Sequence, residues 1–140
     1  MLTGYVAQLL VTNELLEAPY IEPFCGGAGI GLALLANNHI SQLHLNDYDR
    51  AIYAFWHTVK YQNETLSQLV SNTTVNVQNW EKQKDVMQNK SSADLLELGF
   101  ATFFLNRTNR SGILGGGIIG SKEQIGNWKL DARFNKNTLI

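Results

Sequence analysis

The 140-residue sequence predicts an α/β protein that opens in the doubly wound manner and continues as a mainly helical chain. Three observations predict it. Two short apolar stretches, residues 18–24 and 42–45, each run into a turn and then into a helix-forming segment. The turn after the first carries Gly26, Gly27 and Gly29, whereas the turn after the second is acidic, Asn46-Asp47. From residue 63 the alternation stops, and polar sequence with helical spacing leads to a glycine-rich segment at 112–120.

Each element has a local reason. Leu2, Val6, Leu9, Leu10 and Leu16 fall at helical spacing and predict an amphipathic helix over 2–17, stopped by Pro19. Residues 18–24 read as a buried strand that runs straight into the glycines. The stretch IGLALLA, 30–36, is a strong helix former closed by Asn37-Asn38. Residues 42–45 form a second strand. Asp49 then caps a helix over AIYAFWHTVKYQ, with Ile52, Phe55, Trp56 and Val59 on one face. Helical hints follow around Leu66, Leu69 and Val70 and from Trp80 to Met87. Ser91 and Asp94 have capping-box spacing ahead of SADLLELGFATFFLNR. Leu95, Leu96, Leu98, Phe100, Phe103 and Phe104 cover most of that helix's circumference, which predicts burial. GILGGGIIG, 112–120, holds five glycines in nine residues and reads as a flexible loop or hairpin tip. A two-stranded parallel sheet is not a stable domain by itself, so the sequence reads as part of something longer.

Composition narrows the function classes. No apolar run approaches the roughly 20 residues of a membrane span. The first 20 residues lack early positive charge and carry Glu14 and Glu17, unlike a secretory signal. A cytoplasmic protein with no membrane partner is expected. One cysteine, Cys25, excludes an internal disulfide, and no Cys/His cluster accompanies it. His39, His44 and His57 lack metal-ligand spacing, so no metal is expected. The net charge of −1 conceals an asymmetry. Residues 1–59 set one base against five acids, whereas residues 107–140 set six bases against two acids. A basic terminal segment is either a solvated surface or a track for phosphates.

Glycines between a strand and a helix admit a ligand to backbone N–H groups at the positive end of the helix. A phosphate-binding loop would need Gly-Lys-Ser/Thr, and this turn has no lysine. The dinucleotide pattern Gly-x-Gly-x-x-Gly/Ala fails by one residue, because Leu32 stands where Ala33 would fit. Asp47 lies at the end of the second strand, where a carboxylate can accept hydrogen bonds from both ribose hydroxyls. It supports a nucleoside ligand without choosing the cofactor.

Glu22-Pro23-Phe24-Cys25-Gly26-Gly27-Ala28-Gly29 resembles the E/D-P-F-x-G-x-G turn of amino-methylating DNA methyltransferases. The order of glycine turn, acidic turn, helical insertion and then Asn106-Arg107 with Ser111-Gly112 resembles the Dam-type adenine methyltransferases, across most of residues 18–140. The resemblance implies a partial class I (Rossmann-like) methyltransferase fold with a mainly helical target-recognition insertion. It implies an S-adenosylmethionine-binding half at 1–60 and a target-recognition region at 61–140. Cofactor binding would fall to Glu22, Pro23, Phe24, Gly26, Gly27, Ala28, Gly29, Asp47 and Tyr48. Glu22 would meet the cofactor's ammonium, Phe24 would form an apolar wall, and Tyr48 would line the adenine pocket. Duplex DNA would be the partner, met by Arg107, Arg110, Ser111, Ile113, Lys129 and Arg133, with Ile113 and Leu114 as wedges beside a flipped adenine. For Arg107 a buried salt bridge is the competing role, and for Trp128 a place in the core.

Two parts of the family pattern are absent. Pro19 and Pro23 are the sequence's only prolines, so the catalytic Pro-Pro-aromatic motif is missing and no catalytic residue is assigned. The basic Gly-x-Lys segment expected ahead of the first helix is missing as well. The expectation is therefore the front and recognition portion of an adenine-N6 DNA methyltransferase of bacterial or phage origin, cut at both ends and inactive alone. A non-catalytic DNA-binding remnant and an NAD-dependent enzyme are the alternatives. Restriction–modification, phage and regulatory roles all suit it.

Overall fold

The order of elements follows the apolar pattern closely. The computed structural model describes residues 2–139, and its chain divides into two units, one ending at Asp49 and one beginning at Arg50. The first unit holds α1 (Leu2–Thr12), β1 (Pro19–Glu22), α2 (Gly29–Ala36) and β2 (Gln42–Leu45). The second holds α3 (Arg50–Tyr61), α4 (Asn63–Asn72), α5 (Val77–Gln88) and α6 (Leu95–Thr108). The described residues are thus α/β and mostly helical, and none of their helices is long and apolar enough to cross a membrane.

In the first unit β1 and β2 pair in parallel, with Pro19 opposite Gln42 and Glu22 opposite Leu45. Pro19 opens the strand, the position where a missing N–H costs least. α2 is the crossover between the strands, and it packs against both of them and against α1. α1 stops at Thr12, five residues short of the expected end. The apolar spacing continues through Leu16, but Glu14 takes a left-handed conformation (φ 58°) and Leu15 N–H donates to the Leu10 carbonyl at 2.9 Å. That is a Schellman closure, and it satisfies carbonyls that further turns would have used. α2 ends the same way at Asn38 (φ 57°), with His39 N–H on the Leu34 carbonyl at 2.9 Å, as the Asn-Asn pair predicts.

The second unit is built on α6, which packs chiefly on α3 and α5. Of the positions whose pattern predicts burial, Leu98, Phe100 and Phe104 are buried and Leu95, Leu96 and Phe103 only partly so, whereas Ala101 and Leu105 are buried as well. Phe104 is sealed between Phe100 and Phe134, with ring centroids 5.8 and 5.4 Å apart. Asp94 itself caps α6, accepting from Leu96 N–H at 2.8 Å, so the cap lies three residues beyond Ser91. Asn76 caps α5 in the same manner through Asn79 N–H at 2.8 Å.

The unit boundary differs from the expected break at residue 60, and α3 explains it. Its buried face is Ala51, Ala54 and Thr58; Ile52, Phe55, Trp56 and Val59, the face that apolar spacing selects, are only partly buried. The small residues seat α3 closely on α6. Thr58 donates its hydroxyl to the Leu95 carbonyl and Thr102 donates to the Ala51 carbonyl, each at 3.1 Å. Hydrogen bonds between helices at this range require near contact of backbones, and only small side chains permit it.

Candidate functional site

The glycine turn joins the carboxyl ends of β1 and β2. Beyond the strands Asn46 N–H donates to the Glu22 carbonyl (3.0 Å) and Cys25 N–H to the Asn46 carbonyl (2.9 Å), which lays the turn across the end of the sheet. Two carboxylates tie it down. Glu22 Oε1 accepts from Gly31 N–H at 2.8 Å, satisfying a first-turn donor of α2. Asp47 Oδ2 accepts from Gly26 N–H and its Oδ1 from Asp49 N–H, both at 2.9 Å. Gly26 (φ 46°) and Ala28 (φ 49°) are left-handed; the first is cheap for glycine and the second is strained for alanine. Ala28 is also buried, under the turn it helps to make.

Not every glycine here has an internal reason. At Gly31 a Cβ would lie 2.5 Å from Leu43 Cδ1 and 3.1 Å from Glu22 Oε1, so the approach of α2 to the sheet demands glycine. At Gly27 and Gly29 a Cβ would meet nothing within 4 Å, and neither residue has a positive φ. The chain's own folding gives no reason for glycine at those two positions.

A cleft of 370 Å³ opens beside the turn, lined by Tyr20, Ile21, Glu22, Pro23, Phe24, Cys25, Gly29 and Ile30. Its size falls within the roughly 300–1,000 Å³ of ligand pockets. Phe24 stands 80% exposed at its rim. Gly26, Gly27, Ala28 and Asp47 belong to the turn beside this cleft rather than to its lining, and Tyr48 stands apart from it, 94% exposed. Among the described residues no group of side chains could hold a metal ion.

Cys25 is buried and not poised for attack. Burial pushes its thiol above the ordinary range, and the charge of Asp47 pushes further in the same direction. Its alkylation by iodoacetamide at pH 8.5 is expected to be slower than that of a free cysteine peptide and to reach the peptide rate in urea. Faster modification in the folded chain would contradict the burial.

The candidate DNA residues lie in the second unit, around a loop that leaves the end of α6. Asn109 and Ile118 form an antiparallel bridge, closed by Arg110 N–H on the Gly117 carbonyl and Ile119 N–H on the Thr108 carbonyl, both 2.9 Å. The glycine-rich segment is thus a loop closed by one isolated bridge: no strands flank it among the described residues, and it returns at Ile118 rather than along 126–135, where the resemblance put the hairpin's return. Asn106 and Gly112, the ends of the Asn-Arg…Ser-Gly pattern, meet through Asn106 Nδ2 donating to the Gly112 carbonyl at 3.1 Å. Arg110, Ser111, Gly126, Asn127 and Trp128 share a 420 Å³ cleft with Ile119 and Gly120. Arg133 Nη1 comes within 3.6 Å of where a Gly112 side chain would begin. Ile113 is exposed at the loop, and exposed Lys129 donates to the Gln124 carbonyl.

Two residues differ from the sequence reading. Trp128 is 75% exposed beside Arg110, not in the core. Arg107 forms no buried salt bridge among the described residues; its guanidinium lies 5.9 Å from the Phe103 ring centroid and its buried Nε has no hydrogen-bond partner there. One residue escaped the sequence reading. Asn109 is 1% exposed and joins three elements: Oδ1 accepts from Trp80 Nε1 at 2.7 Å, and Nδ2 donates to the Ile113 and Leu114 carbonyls at 2.9 and 3.0 Å. Nothing local marks it, since Asn109 lies between two positions of the Asn-Arg…Ser-Gly pattern.

Comparison with family models, with curated proteins and with solved structures found no match to this chain.

Proposed function

We propose that the chain holds S-adenosylmethionine at the glycine turn and duplex DNA at the 107–133 segment, as the cofactor and target-recognition portion of a site-specific adenine-N6 DNA methyltransferase. The observation that carries the reading is the pair Gly27 and Gly29. Both are glycine where neither backbone conformation nor packing asks for it, so a ligand close to the backbone supplies the missing reason. The donor set fits that ligand. Glu22 has one carboxylate oxygen beyond the one committed to Gly31, available to an ammonium group. Each Asp47 oxygen accepts one backbone N–H and keeps a second lone pair for a ribose hydroxyl. Phe24 gives the cleft an apolar rim. When bound, the cofactor would supply an electrophilic methyl group, and the chain's own part is to orient it.

On the DNA side, Arg110, Lys129 and Arg133 are exposed cations for phosphates, and Ile113 and Trp128 are exposed apolar groups of the kind that displace or stack bases. A second reading is a DNA-binding chain that never turns over, which a duplex affinity indifferent to cofactor would distinguish.

Gly27→Ala separates a ligand role from a folding role. Its stability is expected to stay within about 0.5 kcal/mol of the parent, since the new Cβ enters open space. Binding of S-adenosylmethionine, read by calorimetry, is expected to weaken at least tenfold. Unchanged binding in that variant, or a parent that binds NAD in preference, removes the proposal. Duplex affinity with no cofactor response selects the non-catalytic reading.

A further inference from the structure

Asn109 sits at the base of the loop that carries Arg110, Ser111 and Ile113, and all its side-chain hydrogen-bonding atoms are engaged. A carbonyl can only accept and an indole N–H can only donate, so the amide has one workable orientation: Oδ1 toward Trp80, Nδ2 toward Ile113 and Leu114. The main chain of the same residue is equally committed. Its N–H donates to the Leu105 carbonyl at 2.8 Å, its carbonyl accepts from Gly112 N–H at 3.1 Å, and it pairs with Ile118 across the bridge. The loop is therefore closed by backbone pairing at Asn109–Ile118, by Asn106 at Gly112, and by the one buried side chain that reaches Ile113 and Leu114.

Glycine content makes the buried closure matter. Glycines at 115–117 make the far half of the loop costly to order, and Gly116 packs directly on Ile113, so whatever fixes Ile113 and Leu114 also fixes what the glycines rest on. The clamp on Ile113 and Leu114 fixes the near half. Exposed Ile113 and Arg110 then project from a backbone held at Ile113 and Leu114 by a buried amide, and the glycine run is tied to the same stretch by Gly116 N–H on the Ile113 carbonyl (2.8 Å) and by Arg110 N–H on the Gly117 carbonyl (2.9 Å). Trp80 anchors that amide from α5 and is itself 4% exposed, so the clamp is referenced to the core.

We propose that Asn109 is a positioning residue for sequence discrimination: it touches no base, but it sets where Arg110, Ser111 and Ile113 meet the DNA. The inference rests on the DNA-binding reading above. Discrimination needs base contacts held in register, each worth about a factor of ten or more, whereas phosphate attraction tolerates displacement.

The test uses the full chain with a duplex selected by the parent from a random-sequence pool, against a scrambled duplex of equal composition. Asn109→Ser, too short to span both carbonyls and the indole, is expected to lower the ratio of the two affinities about tenfold while scrambled-duplex affinity holds within about twofold. Trp80→Phe keeps the two loop bonds and is expected to retain most of the ratio. In the parent, the Asn109 side-chain NH₂ is expected to exchange slowly with solvent by NMR, a readout that needs no variant to fold. An Asn109→Ser chain with the parent's ratio, an equal loss of both affinities, or fast exchange of that NH₂ overturns the role of Asn109. A parent chain that selects no duplex at all, with a protected NH₂, instead overturns the DNA-binding reading on which the role rests.

Discussion

Phe104→Ala is expected to cost the second unit about 3–5 kcal/mol, the range for a buried phenylalanine truncated in a packed core. Phe104 is 0% exposed and bridges two parts of the chain, Phe100 on its own helix and Phe134 thirty residues on. The lost contacts include two tilted aromatic pairs, with interplanar angles of 51° and 55°, which add to the simple burial term. Little can fill the space. Phe100 and Phe134 are themselves fixed by Trp80, Leu105, Ile118 and Leu130 in the same cluster, so the cavity stays open. Against a total of about 5–15 kcal/mol for a domain, that loss leaves a marginal fold. Urea unfolding followed by circular dichroism is expected to show a midpoint about 2 M or more below the parent's. A drop under about 1 kcal/mol would mean that Phe104 is not packed as described. The change reaches the segment proposed to bind DNA as well. Phe134 and Leu130 hold the return of the chain past Trp128 and Arg133, so duplex binding is expected to fall with stability.

The sequence was most legible where structure is made locally. The run from strand to glycines to helix at 18–36 needs only apolar patterning and turn chemistry, and both α2 and β2 fall where that pattern puts them. β1 is shorter than 18–24 and is not the buried strand expected, with Pro19 and Ile21 exposed. α6 was legible because its apolar positions leave almost no polar face. Legibility ended where partners are distant in sequence. The end of α1 depends on a left-handed Glu14, a conformation that residue type does not advertise. The buried face of α3 is the small one, Ala51, Ala54 and Thr58, because α6 presents Gly99 to it; a hydrophobicity count ranks Phe55 and Trp56 above them. At the glycine turn, residue types suggested a ligand, and the open space around Gly27 and Gly29 agrees with one. Gly4, Gly115 and Gly117 are equally unconstrained, and it is the place at the end of the strand that sets these two apart. Asn109 lay beyond reach entirely. Its partners Trp80, Ile113 and Leu114 become neighbours only after α5, α6 and the loop have packed.

Gly99→Val is expected to be comparably severe, about 3 kcal/mol or more, and for the opposite reason: too much volume rather than too little. Gly99 is buried in α6 against α3, and a Cβ there would overlap Thr58 Oγ1 and lie 2.8 Å from the Ala54 carbonyl oxygen. Thr58 cannot rotate away at no cost, because its hydroxyl is given to the Leu95 carbonyl. The Ala54 oxygen is main chain and cannot rotate at all. Gly99→Ala measures the balance of two terms. Alanine gains about 1 kcal/mol over glycine as a helix former, while overpacking costs about 1–3 kcal/mol. The contact with backbone decides the sign, and net destabilisation is expected. Thr58→Ala in the same chain relieves one overlap and leaves the other, so it is expected to restore only part of the loss, with a coupling of at least 0.5 kcal/mol on the scale seen for touching residues. Full rescue would assign the whole clash to the hydroxyl, and a stabilised Gly99→Ala would mean that α3 and α6 do not approach this closely. The consequence runs along α6. Its last turn delivers Asn106 and Arg107 and then Asn109 into the loop, so helices forced apart at Gly99 tilt the rod that carries the loop. Gly99 lines none of the clefts described above, yet its size sets the angle at which the residues proposed to meet DNA are presented.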